Sequence, residues 1–148
     1  MAAILIVYGS TIGNTREAAE MLEETFKGAG AAVTLLDVSD AAPDGLCADY
    51  DLVLFGCSTW GDEDIELQPD FVPLFESFDK IAARGKKVAV FGCGDSSYKW
   101  FCGAVDAIEE KLKQLGAELL NSGLKIDGDP GEAGAEINAW AGQLVKVL

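Results

Sequence analysis

The stretch that decides the fold is residues 2–15, AAILIVYGSTIGNT. Its run from Ala3 to Tyr8 is almost continuously apolar, which is typical of a strand buried on both faces of a parallel sheet. A glycine-bounded loop of hydroxyl and amide side chains follows, and a helical pattern begins near Asn14. Helix N-termini favour anions because their free amides and dipole face the preceding loop. This stretch therefore predicts an α/β protein that holds a phosphate after its first strand.

The same alternation of strand and helix continues along the chain. Further strands are predicted at Ala32–Asp37, Leu52–Cys57, Lys87–Gly92 and Glu118–Ile126. Apolar stripes at helical spacing alternate with them: Ala18, Leu22, Phe26 and Ala29; Val105, Ile108, Leu112 and Leu115; Ile137, Trp140, Leu144 and Val147. The segment Phe71–Phe78 has the same spacing, but Pro69 and Pro73 predict that it is short or irregular. Right-handed crossovers then give a three-layer sandwich around one parallel sheet.

Local signals predict where the helices begin and end. Glycines near residues 28–30 and at Gly116 end the first and the third helical patterns. Asp129 is read as the N-cap of the last helix, with Pro130 at its first position and Glu132 at its third. Asp37 follows the second strand and is interpreted as a surface turn residue, because no dinucleotide glycine fingerprint accompanies it.

Three strands end in similar polar loops. The segments VYGST (residues 7–11), LFGCST (54–59) and VFGCGDS (90–96) each pass from an aromatic residue through glycine to small polar residues. Ligands of open parallel sheets bind outside the carboxyl ends of the strands, so all three loops are expected to build one site. Trp60, Tyr98 and Trp100 lie in the second and third loops, which favours a planar ligand between aromatic rings. For any one of these aromatics, covering an edge of the core is the alternative, just as Ser10–Thr15 could simply cap a helix.

Several classes of chemistry are disfavoured. The first loop has Asn14 where a Walker A motif needs lysine, so a nucleoside triphosphate fits poorly. The chain has no histidine, the usual proton-transfer residue at neutral pH, so hydrolytic chemistry is not expected. Its four cysteines form no C-x-x-C pair, which indicates free buried thiols and no metal site.

Length, composition and net charge limit the architecture and the binding partners of the chain. The 148 residues fit one domain, 49% of them are hydrophobic, and no apolar run is long enough to span a membrane. A net charge of −14 repels nucleic acid and anionic membranes and favours basic partners. No secretory signal is recognised, so a cytoplasmic location is expected.

The three loops together resemble those of a known family. STIGNT (residues 10–15), STWGD (58–62), and GCGDSSY (92–98) followed by FCG (101–103) look like a short-chain flavodoxin of the kind found in sulfate-reducing bacteria. The resemblance covers essentially the whole chain, from residue 1 to residue 148. It implies a flavodoxin-like five-stranded parallel sheet in the order 2-1-3-4-5, with FMN at the switch point.

The resemblance also implies a function. It predicts a low-potential one-electron carrier with non-covalently bound FMN that shuttles between semiquinone and hydroquinone and turns over no substrate of its own. Expected partners of this monomer are redox proteins with basic docking surfaces, such as oxidoreductases, hydrogenase or cytochrome systems. An FMN-dependent NAD(P)H oxidoreductase, such as a quinone reductase, is the alternative. A receiver domain is a poorer fit, because residues 8–10 and 127–128 lack its acids and lysine.

The resemblance assigns cofactor-binding residues by motif position. Phosphate contacts are implied for the first loop and for Ser58 and Thr59 at the start of the second, and Trp60 and Tyr98 would flank the flavin ring. The backbone around Gly61, Asp62, Asp95, Trp100 and Cys102 would bond the edge of the ring. The full set is Ser10, Thr11, Ile12, Gly13, Asn14, Thr15, Ser58, Thr59, Trp60, Gly61, Asp62, Cys93, Gly94, Asp95, Tyr98, Trp100, Phe101 and Cys102. No residue is assigned a catalytic or metal-binding role.

Two residues depart from the family pattern. Ile12 stands where a hydroxyl residue is usual, and Trp100 stands where tyrosine is common, so each is left with a backbone role.

The Gly61–Asp62 peptide is expected to turn its carbonyl toward the flavin N5–H, since glycine permits that turn at low cost. Carboxylates such as Asp62 and Asp95 are expected to oppose formation of the anionic hydroquinone. One charge at about 10 Å costs about 1.7 kcal/mol at an effective dielectric of about 20.

Overall fold

A parallel sheet forms the centre of the computed structural model, which describes residues 2–9, 13–60, 66–94 and 102–147. Its main strands are β1 (Ala3–Gly9), β2 (Ala32–Asp37) and β3 (Leu52–Cys57). A short antiparallel pair follows, β4 (Thr59–Trp60) and β5 (Glu66–Leu67). The remaining strands are β6 (Lys87–Gly94), β7 (Glu118–Leu119) and β8 (Leu124–Asp127).

The strands of the main sheet are ordered β2-β1-β3-β6, with β7 and β8 both paired to β6. Every pairing in this sheet is parallel, and the register places Ile4 beside Val33 of β2 and Leu52 of β3. If β7 and β8 are counted as one interrupted strand, this is the expected order 2-1-3-4-5. The predicted fold class is confirmed.

Helices cover both faces of the sheet. They are α1 (Asn14–Gly28), α2 (Val72–Glu76), α3 (Gly103–Gln114) and α4 (Gly134–Val145). One-turn 3-10 segments lie at Val38–Asp40, Pro69–Phe71, Phe78–Lys80 and Pro130–Glu132. The irregular helix predicted for Phe71–Phe78 is thus confirmed as two 3-10 turns around α2. None of the helices in the described ranges is long and apolar enough to cross a membrane.

Alternate side chains of the central strands enter two separate cores. Leu5 and Val7 of β1 pack on the α3 side, while Ile4 and Ile6 pack on the side of α1 and α4. All six residues of β3 are buried as well. This two-sided burial explains why the sequences of β1, β3 and β6 are nearly continuous apolar runs.

The prediction of one continuous strand over Glu118–Ile126 is wrong, because the structure has two strands, β7 and β8, in its place. Residues 120–123 interrupt it, because the Ser122 carbonyl accepts a hydrogen bond from Trp140 Nε1 at 3.0 Å and the Asn121 amide donates to Gln143 at 3.2 Å. A side chain at Gly123 would collide with Val105. The Leu120 amide still donates to the Val88 carbonyl of β6 at 3.0 Å, so these contacts to α4 and α3 hold residues 121–123 out of regular pairing.

Three smaller predictions at helix ends also need correction. Asp129 does cap a turn, accepting from Gly131 N, but that turn is the 3-10 segment, and α4 begins only at Gly134. Ala29 and Val147 are predicted to belong to apolar helix stripes, yet both follow the last residue of their helices and are exposed, Val147 by 49%. Asp37 is confirmed as a turn residue, since its carboxylate accepts from Ser39 N at 2.9 Å.

Gly92 is required by the close approach of β3 and α3. A Cβ there would lie 2.5 Å from the Cys57 carbonyl oxygen and 2.9 Å from a methyl group of Val105. We expect Gly92→Ala to lower the free energy of unfolding by about 3 kcal/mol through overpacking. The matched control, Gly142→Ala in α4, has open space at the Cβ position and should gain about 1 kcal/mol of helix propensity. Urea denaturation of both variants measures the difference, and equal stabilities would contradict it.

Candidate functional site

The first helix begins directly beneath the carboxyl end of β1. Gly13 is its N-cap residue and has a left-handed φ of 97°, a conformation that glycine adopts without steric cost. Gly13 has no side chain with which to cap the helix, and α1 then runs 15 residues from Asn14. The positive end of the helix dipole thus lies at the first predicted loop, which favours an anion there.

Two hydroxyls from distant parts of the chain meet at this helix end. Thr15 Oγ1 lies 2.9 Å from Ser58 Oγ, and Thr15 is completely buried. Ser58 follows β3, and its amide donates to the Gly9 carbonyl at 3.4 Å. The structure therefore joins the first and second predicted loops at one point.

The second helix N-terminus at this edge is that of α3. The Ala104 amide, in the first turn of α3, donates to Thr59 Oγ1 at 2.8 Å. Cys102 is the N-cap residue, with a left-handed φ of 49° and no side-chain cap of its own. Thr59 therefore supplies from β4 the cap that the α3 segment lacks.

The third predicted loop is joined to the first through Cys93. Strand β6 continues past the predicted end at Gly92, so that Cys93 and Gly94 pair with Ile126 and Asp127 of β8. Burial raises the pKa of the Cys93 thiol to about 12, and a hydrogen bond with the Thr15 side chain opposes that rise. Cys93 is therefore part of the same cluster as Thr15.

Cys102 faces inward. It is 1% exposed, and its thiol lies 3.6 Å from the Gly92 carbonyl oxygen. A contact between Cys102 and a bound ligand would therefore have to come from the backbone.

All four cysteines are free and buried, as the sequence predicts. The described part of the chain contains no group of three or more potential ligands that could hold a metal ion.

Half of the predicted site residues lie outside the described ranges. They are Ser10, Thr11, Ile12, Gly61, Asp62, Asp95, Tyr98, Trp100 and Phe101, and their roles stay predictions, as does the expected turn of the Gly61–Asp62 peptide. The backbone of Trp60 lies in β4, but its side chain is outside the description. Gly13, Asn14, Thr15, Ser58, Thr59, Cys93, Gly94 and Cys102 are brought to one edge of the sheet.

The sequence predicted neither the short strand pair of β4 and β5 in the second loop nor the burial of Gln68, which follows β5. Thr59 pairs with Leu67 and Trp60 with Glu66, so β4 and β5 are the two strands of a small antiparallel pair, the β4/β5 hairpin. Gln68 follows β5, donates its amide to the Ser58 carbonyl at 2.9 Å and is 1% exposed. Strands of two residues carry no detectable alternation, and a glutamine before proline is usually a surface residue.

The described donors fit the phosphate of FMN. Thr15 and Ser58 offer neutral hydroxyls at a helix N-terminus, which can hold a terminal phosphate without a cation. Arg16, the nearest basic residue along the chain, lies 3.6 Å from Glu20 on the exposed face of α1. The described residues of the cradle around Thr15 therefore carry no positive side chain.

Comparisons with known proteins agree with this geometry. The flavodoxin family model matches residues 6–140. The chain is 53% identical to the flavodoxin of Nitratidesulfovibrio vulgaris strain Miyazaki F over 148 residues, which is the full length of both chains. It is 56% identical to the flavodoxin of Maridesulfovibrio salexigens over 140 residues, covering 95% of this chain and 94% of the relative. The crystal structure of oxidised flavodoxin 1 from Bacillus cereus superposes with a TM-score of 0.90 at 31% identity, covering 99% of each chain.

Fold and site together define an α/β protein with an anion cradle at the carboxyl edge of a parallel sheet. The chain belongs to the flavodoxin family, whose members carry electrons with FMN and pass them to redox partners. The resemblance drawn from the three loops is confirmed.

The cap that Thr59 places on α3 can be tested by stability. Thr59→Ala leaves the Ala104 amide without its acceptor and should lower the free energy of unfolding by about 1 kcal/mol. Thr59→Ser keeps the oxygen and should retain most of that stability. Urea denaturation of the apoprotein measures both variants. If serine and alanine are equally destabilising, the hydroxyl does not act as the cap.

Burial of the thiols makes stability depend on alkaline pH. Burial raises the pKa of Cys47, Cys57, Cys93 and Cys102 from 9.0 to about 12. Between pH 9 and pH 12 the unfolded chain loses thiol protons that the folded chain keeps. Stability that is fully present below pH 9 is therefore lost as the pH rises through this window.

The expected loss is about 1 kcal/mol per buried thiol between pH 8 and pH 10. Urea denaturation at these two pH values measures it. Cys47→Ala, which removes one titrating thiol, should show a smaller loss than the wild type. An identical pH dependence in both proteins would contradict this explanation.

Proposed function

We propose that this chain is a cytoplasmic, single-domain, monomeric flavodoxin that carries electrons one at a time at low potential between redox enzymes. The observation that supports the proposal is the Thr15–Ser58 hydroxyl pair, 2.9 Å apart where β1 and β3 end above α1. Membership of the flavodoxin family makes an enzyme with its own substrate, such as a quinone reductase, the less favoured reading.

The residues of the cradle bind and orient the cofactor. When bound, FMN supplies two successive one-electron reduction steps. Thr15 and Ser58 would hold its phosphate with neutral donors, helped by the N-terminus of α1. Because none of the described residues of this cradle is a lysine or an arginine, the helix N-termini contribute only partial positive charge against the negative charge that reduction adds. A neutral cradle thus favours a low potential.

Carboxylates lie at the site edge, in the first turns of the helices. They are Glu17 in α1, Asp106 in α3, which pairs with Lys125 at 2.9 Å, and Glu136 in α4. The chain as a whole carries a net charge of −14. These charges support partners that dock a basic surface against the site edge.

The experiment is a flavin titration of the apoprotein. Wild type should bind FMN more tightly than riboflavin, which lacks the phosphate. Thr15→Val keeps the side-chain shape but removes the hydroxyl, so it should raise the Kd for FMN about tenfold and leave the Kd for riboflavin unchanged. Thr34→Val, at an exposed position of edge strand β2, is the matched control and should change neither.

Two outcomes would contradict the proposal. The first is a wild-type apoprotein that takes up no FMN. The second is rapid direct reduction of the flavin by NADH or NADPH on stopped-flow mixing, which would indicate the oxidoreductase instead. A carrier should require a separate reductase and should then show two distinct one-electron potentials in a stepwise reductive titration.

A further inference from the structure

Gln68 occupies an unusual position for a glutamine. Thr15 and Gln68 are the two buried polar residues among those the structure describes, and Gln68 is 1% exposed. It stands between β5 and the 3-10 turn Pro69–Phe71. A buried amide costs free energy unless its hydrogen bonds are made, so its presence here needs a physical reason.

The main chain of Gln68 holds the β4/β5 hairpin in place. Its amide donates to the Ser58 carbonyl at 2.9 Å, immediately next to the pair formed by Thr59 and Leu67. Its carbonyl accepts from the Phe71 amide at 2.9 Å, and its side-chain Nε2 donates to Asp70 Oδ2 at 3.0 Å. Gln68 is thus bonded on both sides of the turn and has a fixed orientation.

The side chain of Gln68 reaches from the hairpin to the end of β1. A Cβ built on Gly9 would lie 2.6 Å from Gln68 Oε1 and 3.2 Å from the ring of Phe71. Gly9 is the last residue of β1, and its carbonyl accepts from the Ser58 amide. One buried side chain therefore contacts the strand that leads into the phosphate loop, while its backbone holds the hairpin of the second loop.

We propose that Gln68 is a positioning residue that sets the spacing between the phosphate cradle and the paired strands of the β4/β5 hairpin. The inference rests on the proposed function, because it concerns how the two ends of FMN are held. A ligand that binds two subsites at once gains affinity only when their spacing matches its own length. Gln68 contributes this match without touching either end of the ligand.

This role makes a distinctive prediction for three ligands. Gln68→Met keeps the length of the side chain but removes its polar atoms. The Kd for FMN, which spans both subsites, should rise about tenfold. The Kd values for riboflavin alone and for inorganic phosphate alone should each change by less than about twofold, because each probe occupies a single subsite. Flavin fluorescence quenching and calorimetry of the apoprotein measure these constants.

A second variant alters the contact between Gly9 and Gln68 from the β1 side. Gly9→Ala places a methyl group against Gln68 Oε1 and should give the same selective loss for FMN. The double variant Gly9→Ala/Gln68→Ser shortens the opposing side chain and should recover part of the affinity. The matched control is Gln143→Met on the exposed face of α4, which should leave all three constants unchanged.

The outcomes separate the inference from the function on which it rests. An equal loss for FMN, riboflavin and phosphate in both variants would assign Gln68 a merely structural role and overturn the inference. No loss for FMN would overturn it as well. A wild-type apoprotein that fails to bind FMN would contradict the proposed function instead.

Discussion

Burial of β1 on both faces is the constraint on which the rest of the structure depends. Ile4 and Ile6 enter one core while Leu5 and Val7 enter the other, and each of these four side chains is at most 1% exposed. A strand of this kind requires a helical layer on each side and a parallel neighbour on each edge. For β1 and β3, which are buried on both faces, only the ends of the strands can place polar groups near solvent. The site lies at one of those ends because little of the rest of the sheet is accessible.

Hydrogen bonds between loops hold together the segments that follow the strands of the sheet. Thr15 with Ser58, and Ala104 with Thr59, each join segments that follow different strands. Each bond also involves the first turn of a helix, α1 in one case and α3 in the other. The positive ends of two helix dipoles are thereby directed to one edge, which stabilises negative charge there without a lysine or an arginine from the part of the cradle that the structure describes. Gln68 adds a third link, between the end of β1 and the hairpin.

Much of this arrangement could be predicted from the sequence. Continuous apolar runs identified β1, β3 and β6, and the glycine-rich ends of these strands identified the edge that carries the site. The interruption at residues 120–123 could not be predicted, because it arises from contacts with Trp140 and Gln143 of α4, which lie far along the chain. The pairing of Thr15 with Ser58 spans 43 residues, and no local pattern encodes it. Val147 fitted the helical spacing but follows the end of α4, where periodicity no longer determines burial.

The buried thiols have a consequence for an electron carrier. Cys93 and Cys102 lie at the same edge as the cradle, yet burial raises the pKa of each to about 12. At neutral pH only about one thiol in 10⁵ is therefore ionised, and the thiolate is the form that attacks disulfides and oxidants. Sulfur chemistry moves electrons in pairs, whereas a carrier of this class moves them singly. Burial keeps these sulfurs protonated and away from solvent. Two-electron thiol chemistry is therefore suppressed at the same edge of the sheet at which one-electron transfer takes place.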